Sequence, residues 1–426
     1  MRLYKPTLQF ASRMMMSAGL CISLGLFASA QASVTAQASA QTSATSSPAV
    51  NDHAGVISQT FAPQRDGLLK SRLDYLAYDF ILQKTVVHFG PSARNREKRP
   101  DPYLGTRIVT GHKTAYRTEG SRFRFYNVTP EIRSEIGLYR KDLEAVGNRI
   151  DLTRLARDEQ LAFWLNLHNV TMVEHISKHY PVKRPSKIKI DGVPLNEAKI
   201  LNIREQALSL RDIREKIVYT HWRNPNVIYG FFHGDIGSPA LETLAYTRDN
   251  VWGLLKGSGE EFANSLRGFN RYAGARRVSH HYFDAAPYYF PDLERDLTPH
   301  LLGLARADVG EDILKGGPYE RDQYDAVVAD LVGGSRPRTP TKNVTVGGVS
   351  TDLILLQGGS IESQRLLEEV QEKIQKVRRR GWIATGTVTI EDIETESEVY
   401  DPNVDPESAT YVPPKAEPPV AREGEP

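Results

Sequence analysis

Over residues 155–179 the apolar positions return with a helical period. Leu161, Trp164, Leu165, His168, Met172, His175 and Ile176 fall on neighbouring positions of one side, and Pro181 stops the run. A long helix with one buried face is predicted there. Thr129 opens another helix, with Pro130 suited to its first turn and Glu131 to its dipole, and Ile132, Ile136, Tyr139 and Leu143 line one face. Ser209 caps a third that runs to Tyr219, with Asp212 three residues on as an imperfect capping box. Further helices are predicted at 241–255, 260–268 and 297–307. Residues 61–89 alternate apolar and charged positions, with Leu68, Leu69, Leu73, Leu76 and Ile81 near helical spacing.

Strand signals are shorter. Segments 106–109 and 122–125 read as strands, and Ile228-Tyr229-Gly230-Phe231-Phe232 as an apolar strand-like run. That run ends in the glycine-rich turn His233-Gly234-Asp235-Ile236-Gly237-Ser238-Pro239. Past Arg336-Pro337-Arg338-Thr339-Pro340-Thr341 the character changes. Strands are predicted at 344–346 and 353–356. A helix follows from Ser360, burying Ile361, Leu366, Leu367, Val370, Ile374 and Val377, and a strand at 383–390 closes the set. Arg378-Arg379-Arg380 reads as the cationic last turn of that helix. The expected fold is α+β and helix-rich. A main domain with a short-strand sheet covers 61–307, a connection covers 308–341, and a small ββαβ module covers 342–390.

Composition changes the picture at both ends. Arg2, Lys5 and Arg13 precede an apolar stretch, Met14 to Phe27, and Ala28-Ser29-Ala30 offers a small-residue cleavage site, the pattern of an export signal over 1–30. A membrane anchor is the alternative, but the stretch is shorter than the ~20 residues a spanning helix needs. No other apolar run approaches membrane length, so no transmembrane segment is expected after signal cleavage. Residues 31–60 are expected to be a disordered tether, since Gln31 to Asn51 is rich in Ala, Ser, Thr and Gln. Glu391 to Pro426 holds eleven Asp or Glu against Lys415 and Arg422, plus seven prolines, and reads as a disordered acidic tail.

The whole chain carries +2; without the signal it carries −1, and without the tail as well the body carries +8. Such a balance suits anionic envelope surfaces or a tail folded back on the body, but the expected reading is the simpler one of a solvated surface with a solubilising tail. With no recognisable binding motif, nucleic acid is not an expected partner. Cys21, the only cysteine, lies in the signal segment. A chain cleaved after Ala30 has no disulfide, thiolate nucleophile or cysteine metal site.

Four constellations bear candidate chemistry. His233, Asp235 and Ser238 are the residue types of a hydrolytic triad, but one tight loop rarely brings a histidine to both partners. The structural alternative is a turn in which Asp235 satisfies backbone N–H groups. His175 and His179 stand four apart on the long helix, a spacing that zinc sites use, although Ile176 replaces the glutamate of H-E-x-x-H. Asn166, His168 and Asn169, with Trp164 beside them, either cross-link the core or line a pocket. His280 and His281 fall in an expected strand or loop, where adjacent residues face opposite sides. No cofactor motif is read and no metal site is assigned.

The run Arg157-Asp158-Glu159-Gln160-Leu161-Ala162-Phe163-Trp164-Leu165-Asn166-Leu167-His168-Asn169, then Tyr180-Pro181-Val182, resembles the family of domain of unknown function 547. That family shows a Phe-Trp-Ile-Asn-Leu-Tyr-Asn-like helix, a Tyr-Pro, a helix like 208–218, and a strand into an Asn-Cys-Gly turn and a proline. Ala245-Tyr246-Thr247 is similar too, and the resemblance spans about 152–291. It implies an exported or membrane-associated domain of mixed helix and strand with no assigned activity. The family's cysteine after the strand invites a thiol or redox reading. Here His233 stands at that cysteine, Ser238 where a second often falls, Phe232 at the preceding asparagine and His168 at the usual tyrosine.

The leading expectation is a periplasmic or secreted envelope protein that binds an unidentified ligand or protein near His233 and Asn166. The alternative is a hydrolase or transferase acting on an envelope component. There His233 is general base, and Asp235 its orienter or Ser238 the nucleophile.

Overall fold

The computed structural model describes residues 52–64, 69, 71–99, 112–335 and 361–380. The expected signal, the strand at 106–109, the strands flanking the C-terminal helix and the acidic tail lie outside them.

The long helix is the spine of the molecule. Helix α4 (Arg157–His179) follows α1 (Asp52–Thr60), α2 (Leu76–Thr85) and α3 (Pro130–Arg149). Every residue of α4 from Glu159 to Glu174 is buried. The expectation of one buried face is therefore too narrow: this helix is enclosed on all sides. Its polar residues then need partners. Gln160 Nε2 donates to the carbonyls of Thr153 and Leu155, at 3.1 and 2.8 Å. Glu159 Oε1 accepts from Leu73 N at 3.2 Å, and Glu174 binds Arg140 and Lys178, each at 2.6 Å. Apart from the Glu174–Lys178 pair, which lies within α4, each such bond ties an irregular segment or a neighbouring helix to the spine.

α3 begins where its sequence signals place it, with Thr129 Oγ1 accepting from Ile132 N at 3.3 Å. The Ser209 cap is a full capping box rather than an imperfect one. Its helix runs as α5 (Leu210–Asp212), a π-helical stretch (Ile213–Val218) and α6 (Tyr219–His221).

Four expectations are corrected. Residues 52–60 are not tether but helix, with Ile57 and Phe61 in the main core. The apolar run before the glycine turn is not a strand: Pro225–Gly230 is a 3-10 helix capped by Asn224, whose Oδ1 accepts from Asn226 N at 3.0 Å. An apolar run this short has no period by which to tell strand from helix. The helices read at 241–255 and 260–268 are one helix, α7 (Val251–Ala263), and the segment before it is irregular. His280-His281 opens α8 (His280–Tyr289) behind the cap Ser279.

The sheets are small. β1 (Val86–His88) pairs antiparallel with β2 (Ser121–Phe123). Two-stranded ribbons pair β3 (Lys189–Ile190) with β4 (Val193–Pro194), and β5 (Leu201–Ile203) with β6 (Gln206–Leu208). β7 (Phe269–Tyr272) and β8 (Ala275–Val278) form a hairpin, and β9 (Tyr319–Arg321) joins β8 in parallel. Between them the chain forms α9 (Thr298–Leu302), not the longer helix expected at 297–307, and α10 (Ala307–Leu314). The fold is α+β and helix-rich.

Apolar side chains gather in three clusters. The largest surrounds α4; a second gathers Tyr229, Phe262, Phe269, Tyr282 and Phe290 near the three-stranded sheet. In the third, Leu366 and Val370 of α11 (Ile361–Arg379) meet Phe89 and Leu331. The helix expected inside an appended module thus shares a core with the main body. Lys373 of α11 is buried and donates to the carbonyls of Phe89 at 2.6 Å and Thr118 at 2.9 Å.

Candidate functional site

The glycine-bearing turn lies directly on α4. Gly230 ends the 3-10 helix so close to the spine that an added Cβ would stand 2.7 Å from Leu165 Cδ2. Gly234 has φ +89°, and a Cβ there would meet Ile176 Cδ1 at 2.4 Å. Both positions exclude a side chain, the second also on backbone grounds. Asn169 locks the turn in place: its Nδ2 donates to Gly230 O at 2.9 Å and its Oδ1 accepts from Phe232 N at 3.0 Å. On the far side Ile236 N donates to Val327 O and Gly237 N to Asp325 O, both at 2.8 Å.

Held this way, the turn presents His233 to a row of imidazoles. The ring centroids of His168 and His233 are 6.1 Å apart, those of His233 and His281 4.3 Å, and those of His281 and His280 4.1 Å. His233 and His280 are partly exposed, whereas His168 and His281 are buried. Among the described residues, none hydrogen-bonds the ring of His233. Burial holds His233 far below the usual histidine range, and His281, Arg214, His168 and His280 push the same way. Burial does the same to His281, reinforced by His280 and Arg214. Burial thus favours the neutral form of each ring; the lone pair of His168 is taken up by Arg214, which leaves His233, His280 and His281 as the rings able to ligate or to move a proton.

Two arms fix the row. Arg214, on the π-helical stretch, donates through Nη1 to His168 Nε2 at 2.8 Å and through Nη2 to Asn196 Oδ1 at 2.6 Å. The π-helical register recurs at functional sites, where the extra residue re-aims a side chain. On the other side Tyr324 donates its hydroxyl to Asp235 Oδ1 and lies 3.4 Å from His281 Nε2. Burial raises the Asp235 carboxyl to about 8 despite the Tyr324 and Ser238 bonds, so the group is mostly protonated at neutral pH.

The sequence-derived candidates divide. His233, Asp235 and His168 are brought together. Ser238 is not a nucleophile paired with His233: its buried Oγ donates to the carbonyls of Asp235 at 2.8 Å and Pro239 at 3.3 Å, which shapes the turn. Asp235 does not orient His233 either; its partner is Tyr324. Asn166 does not line a pocket. Its side chain bonds both backbone groups of Tyr246, at 2.7 and 3.0 Å, and staples the irregular segment before α7. Trp164 is fully buried, edge-on to Phe61 and Phe163, and Asn169 is a core staple. Phe231 packs edge-on to the His168 ring, with centroids 4.8 Å apart.

His175 and His179 are not a converging pair: their rings are 6.4 Å apart and His179 Nδ1 is bonded to His175 O. The residues missed from sequence are Arg214 and Tyr324; His280 and His281 read from sequence as an adjacent pair in a strand or loop, and both in fact lie in the first turn of α8. The Ser279 cap before His280 was the one local signal. Tyr324 is a tertiary neighbour from 89 positions beyond Asp235 and carries none.

Hollows lie nearby and elsewhere. One of about 210 Å³ is lined by Arg96, Thr114, Tyr116, Gln323, Tyr324 and Asp325, so Tyr324 is a wall between it and the imidazoles. A larger cleft of about 560 Å³ includes His88, Glu242, Ser258 and Glu261 in its lining and none of the imidazole row. Its inward carboxylates already have partners, Glu242 in Ser258 and Glu261 in the buried Arg267. Among the described residues no helix is long and apolar enough to cross a membrane.

Fold and site together define an α+β domain, with no cysteine among its described residues, in which a buried helical spine, the glycine turn and α8 bring four histidines together. Residues 152–263 match the family described as "Protein of unknown function, DUF547". No curated protein and no solved structure matches the chain. The matched segment supplies His168, Arg214, His233 and Asp235. His280, His281 and Tyr324 come from beyond it.

Proposed function

We propose that this protein is exported to the periplasm or beyond the cell, and that it binds a small polar ligand at the imidazole row centred on His233. The observation that carries the reading is the partly exposed His233 ring. It is held by its neighbours on a rigid turn, yet no described residue hydrogen-bonds it. A histidine kept only for packing would have its polar atoms paired or swept into apolar contact. The location is supported by the signal-like pattern of residues 1–30 and by the absence of cysteine beyond Cys21.

The test is a thermal-shift screen of metabolites and envelope fragments on the full chain and on His233→Ala, because a ligand of the native state raises the midpoint. The expected result is a compound that stabilises the wild type and has no effect on the variant. His233→Ala itself should change stability by no more than about 1 kcal/mol, since no hydrogen bond is lost. A loss of several kcal/mol would make His233 a structural residue and remove the proposal.

A second reading has one observation in its favour. Tyr324 stands between Asp235 and His281, which links a protonated carboxyl to an imidazole through a phenol. Such a chain suits general acid–base catalysis of a hydrolase or transferase, with water rather than Ser238 as nucleophile. Turnover of any screened fragment, lost in Tyr324→Phe with binding retained, would favour it.

A further inference from the structure

We propose that His280, His281 and Asp284 bind a divalent transition-metal ion of the zinc type beside His233; this deepens the ligand-site reading and rests on it.

Ser279 caps α8, so His280 and His281 occupy its first turn and Asp284 stands one turn on, over His280. One donor atom from each of the three residues lies within 4.8 Å of the others, and His280 Nε2 is 3.7 Å from Asp284 Oδ2. An ion held at about 2.0–2.2 Å by each ligand needs donors roughly 3.3–3.6 Å apart, so the donors must draw in by about an ångström on binding. Two imidazoles and one carboxylate suit zinc, cobalt or iron(II), and leave coordination positions open to water or a ligand. The centroid of the His233 ring lies 4.3 Å from that of His281.

The surroundings fit a metal-bound His281. Its Nε2 lies 3.4 Å from Tyr324 Oη, which is in turn bonded to Asp235. A metal-bound histidine commonly passes its second ring nitrogen to such a partner, which fixes ring and tautomer. Two cations oppose the ion. Arg321 lies 3.6 Å from Asp284 Oδ1, but its side chain is 57 % exposed and also packs over the Phe283 ring, so solvent screens the pair. Arg214 is directed at His168 and Asn196 rather than at Asp284.

The experiment is equilibrium dialysis of the full chain against Zn²⁺ after chelator treatment, with metal quantified per chain, and a parallel Co²⁺ titration followed by visible absorption. The expected result is one zinc per chain and a cobalt spectrum of low coordination number. Affinity should fall at least about tenfold in His281→Ala and in Asp284→Asn, and stay unchanged in His179→Ala. Asp284 is exposed, so its variant should keep the wild-type melting midpoint, and a loss of zinc there cannot be assigned to unfolding. The proposal is overturned if the wild type retains no zinc, or if Asp284→Asn binds it as the wild type does. A compound that stabilises the wild type but not His233→Ala, with no zinc retained, would remove the metal and leave the ligand site standing. Absence of both would remove both.

Discussion

Asn169 sets the tautomer of its sequence neighbour His168. Its amide donates to Gly230 O and accepts from Phe232 N–H, so its oxygen is the atom that faces His168 Nδ1, at 3.0 Å. Nδ1 must therefore carry the proton, and Nε2 is left as the acceptor for Arg214. Burial and the adjacent guanidinium both hold His168 far below the usual histidine range. One side chain thus fixes the turn, the ring and, through the ring, the arginine.

Removing that amide should be costly. Asn169→Ala leaves the Phe232 N–H and Gly230 C=O buried and unpaired, at about 1–3 kcal/mol for each group. Chemical denaturation should show a loss of about 2–4 kcal/mol, and ring ¹⁵N shifts should show His168 no longer confined to the Nδ1–H form. Asn166→Ala should lose a similar stability through Tyr246 and leave the His168 tautomer untouched.

Gly234→Ala should destabilise by roughly 1–3 kcal/mol, combining an unfavourable positive φ with a Cβ pressed into Ile176. Gly274 also has positive φ, +84°, but nothing lies within 4 Å of its would-be Cβ, so Gly274→Ala should cost only the backbone strain. Equal melting midpoints for the two variants would show that the turn is not wedged against α4.

Acid should weaken the fold below about pH 6.5. Burial lowers His175 and His300 to about 4, and His168, His233 and His281 lie far below their usual range. Between the folded value and the usual 6.5 the unfolded chain binds protons that the native state refuses, so stability is lost as pH falls through that window. For His300 alone the loss is at most about 3 kcal/mol. Urea midpoints measured at pH 7, 6 and 5 should fall in that order, and His300→Gln should flatten the slope.

Asp235 acts in the opposite sense. With its carboxyl at about 8 against an ordinary 3.8, the native state holds a proton that the unfolded chain has released. Its contribution is complete below the ordinary value and is lost as pH rises towards 8, at up to about 1.4 kcal/mol per pH unit. Between pH 6.5 and 8 the histidines no longer oppose it. Wild-type stability should decline over that interval, and Asp235→Asn should reduce the decline.

How much the sequence disclosed depends on how local each determinant is. Thr129, Ser209 and Asp212 act within one turn of chain, and their helices begin where the residues say. The period of α4 predicted a helix but not its enclosure, because Glu159, Gln160, Asn166 and Glu174 imitate a solvated face until their distant partners are known. Ile228 to Phe232 was too short to reveal its conformation. The turn at His233 was visible from its glycines, whereas Tyr324, Arg214 and His281 reach it only through tertiary packing.

Lys373 has a consequence for how the chain tolerates shortening. Its ammonium, lowered to about 8 by burial, occupies the place where the Phe89 and Thr118 carbonyls would otherwise lie dry. A chain ended before α11 would strand those oxygens beneath bare Phe89 and Leu331, inviting aggregation through a newly uncovered greasy face. Helix α11 therefore acts as a plug over the segments that carry Phe89 and Thr118.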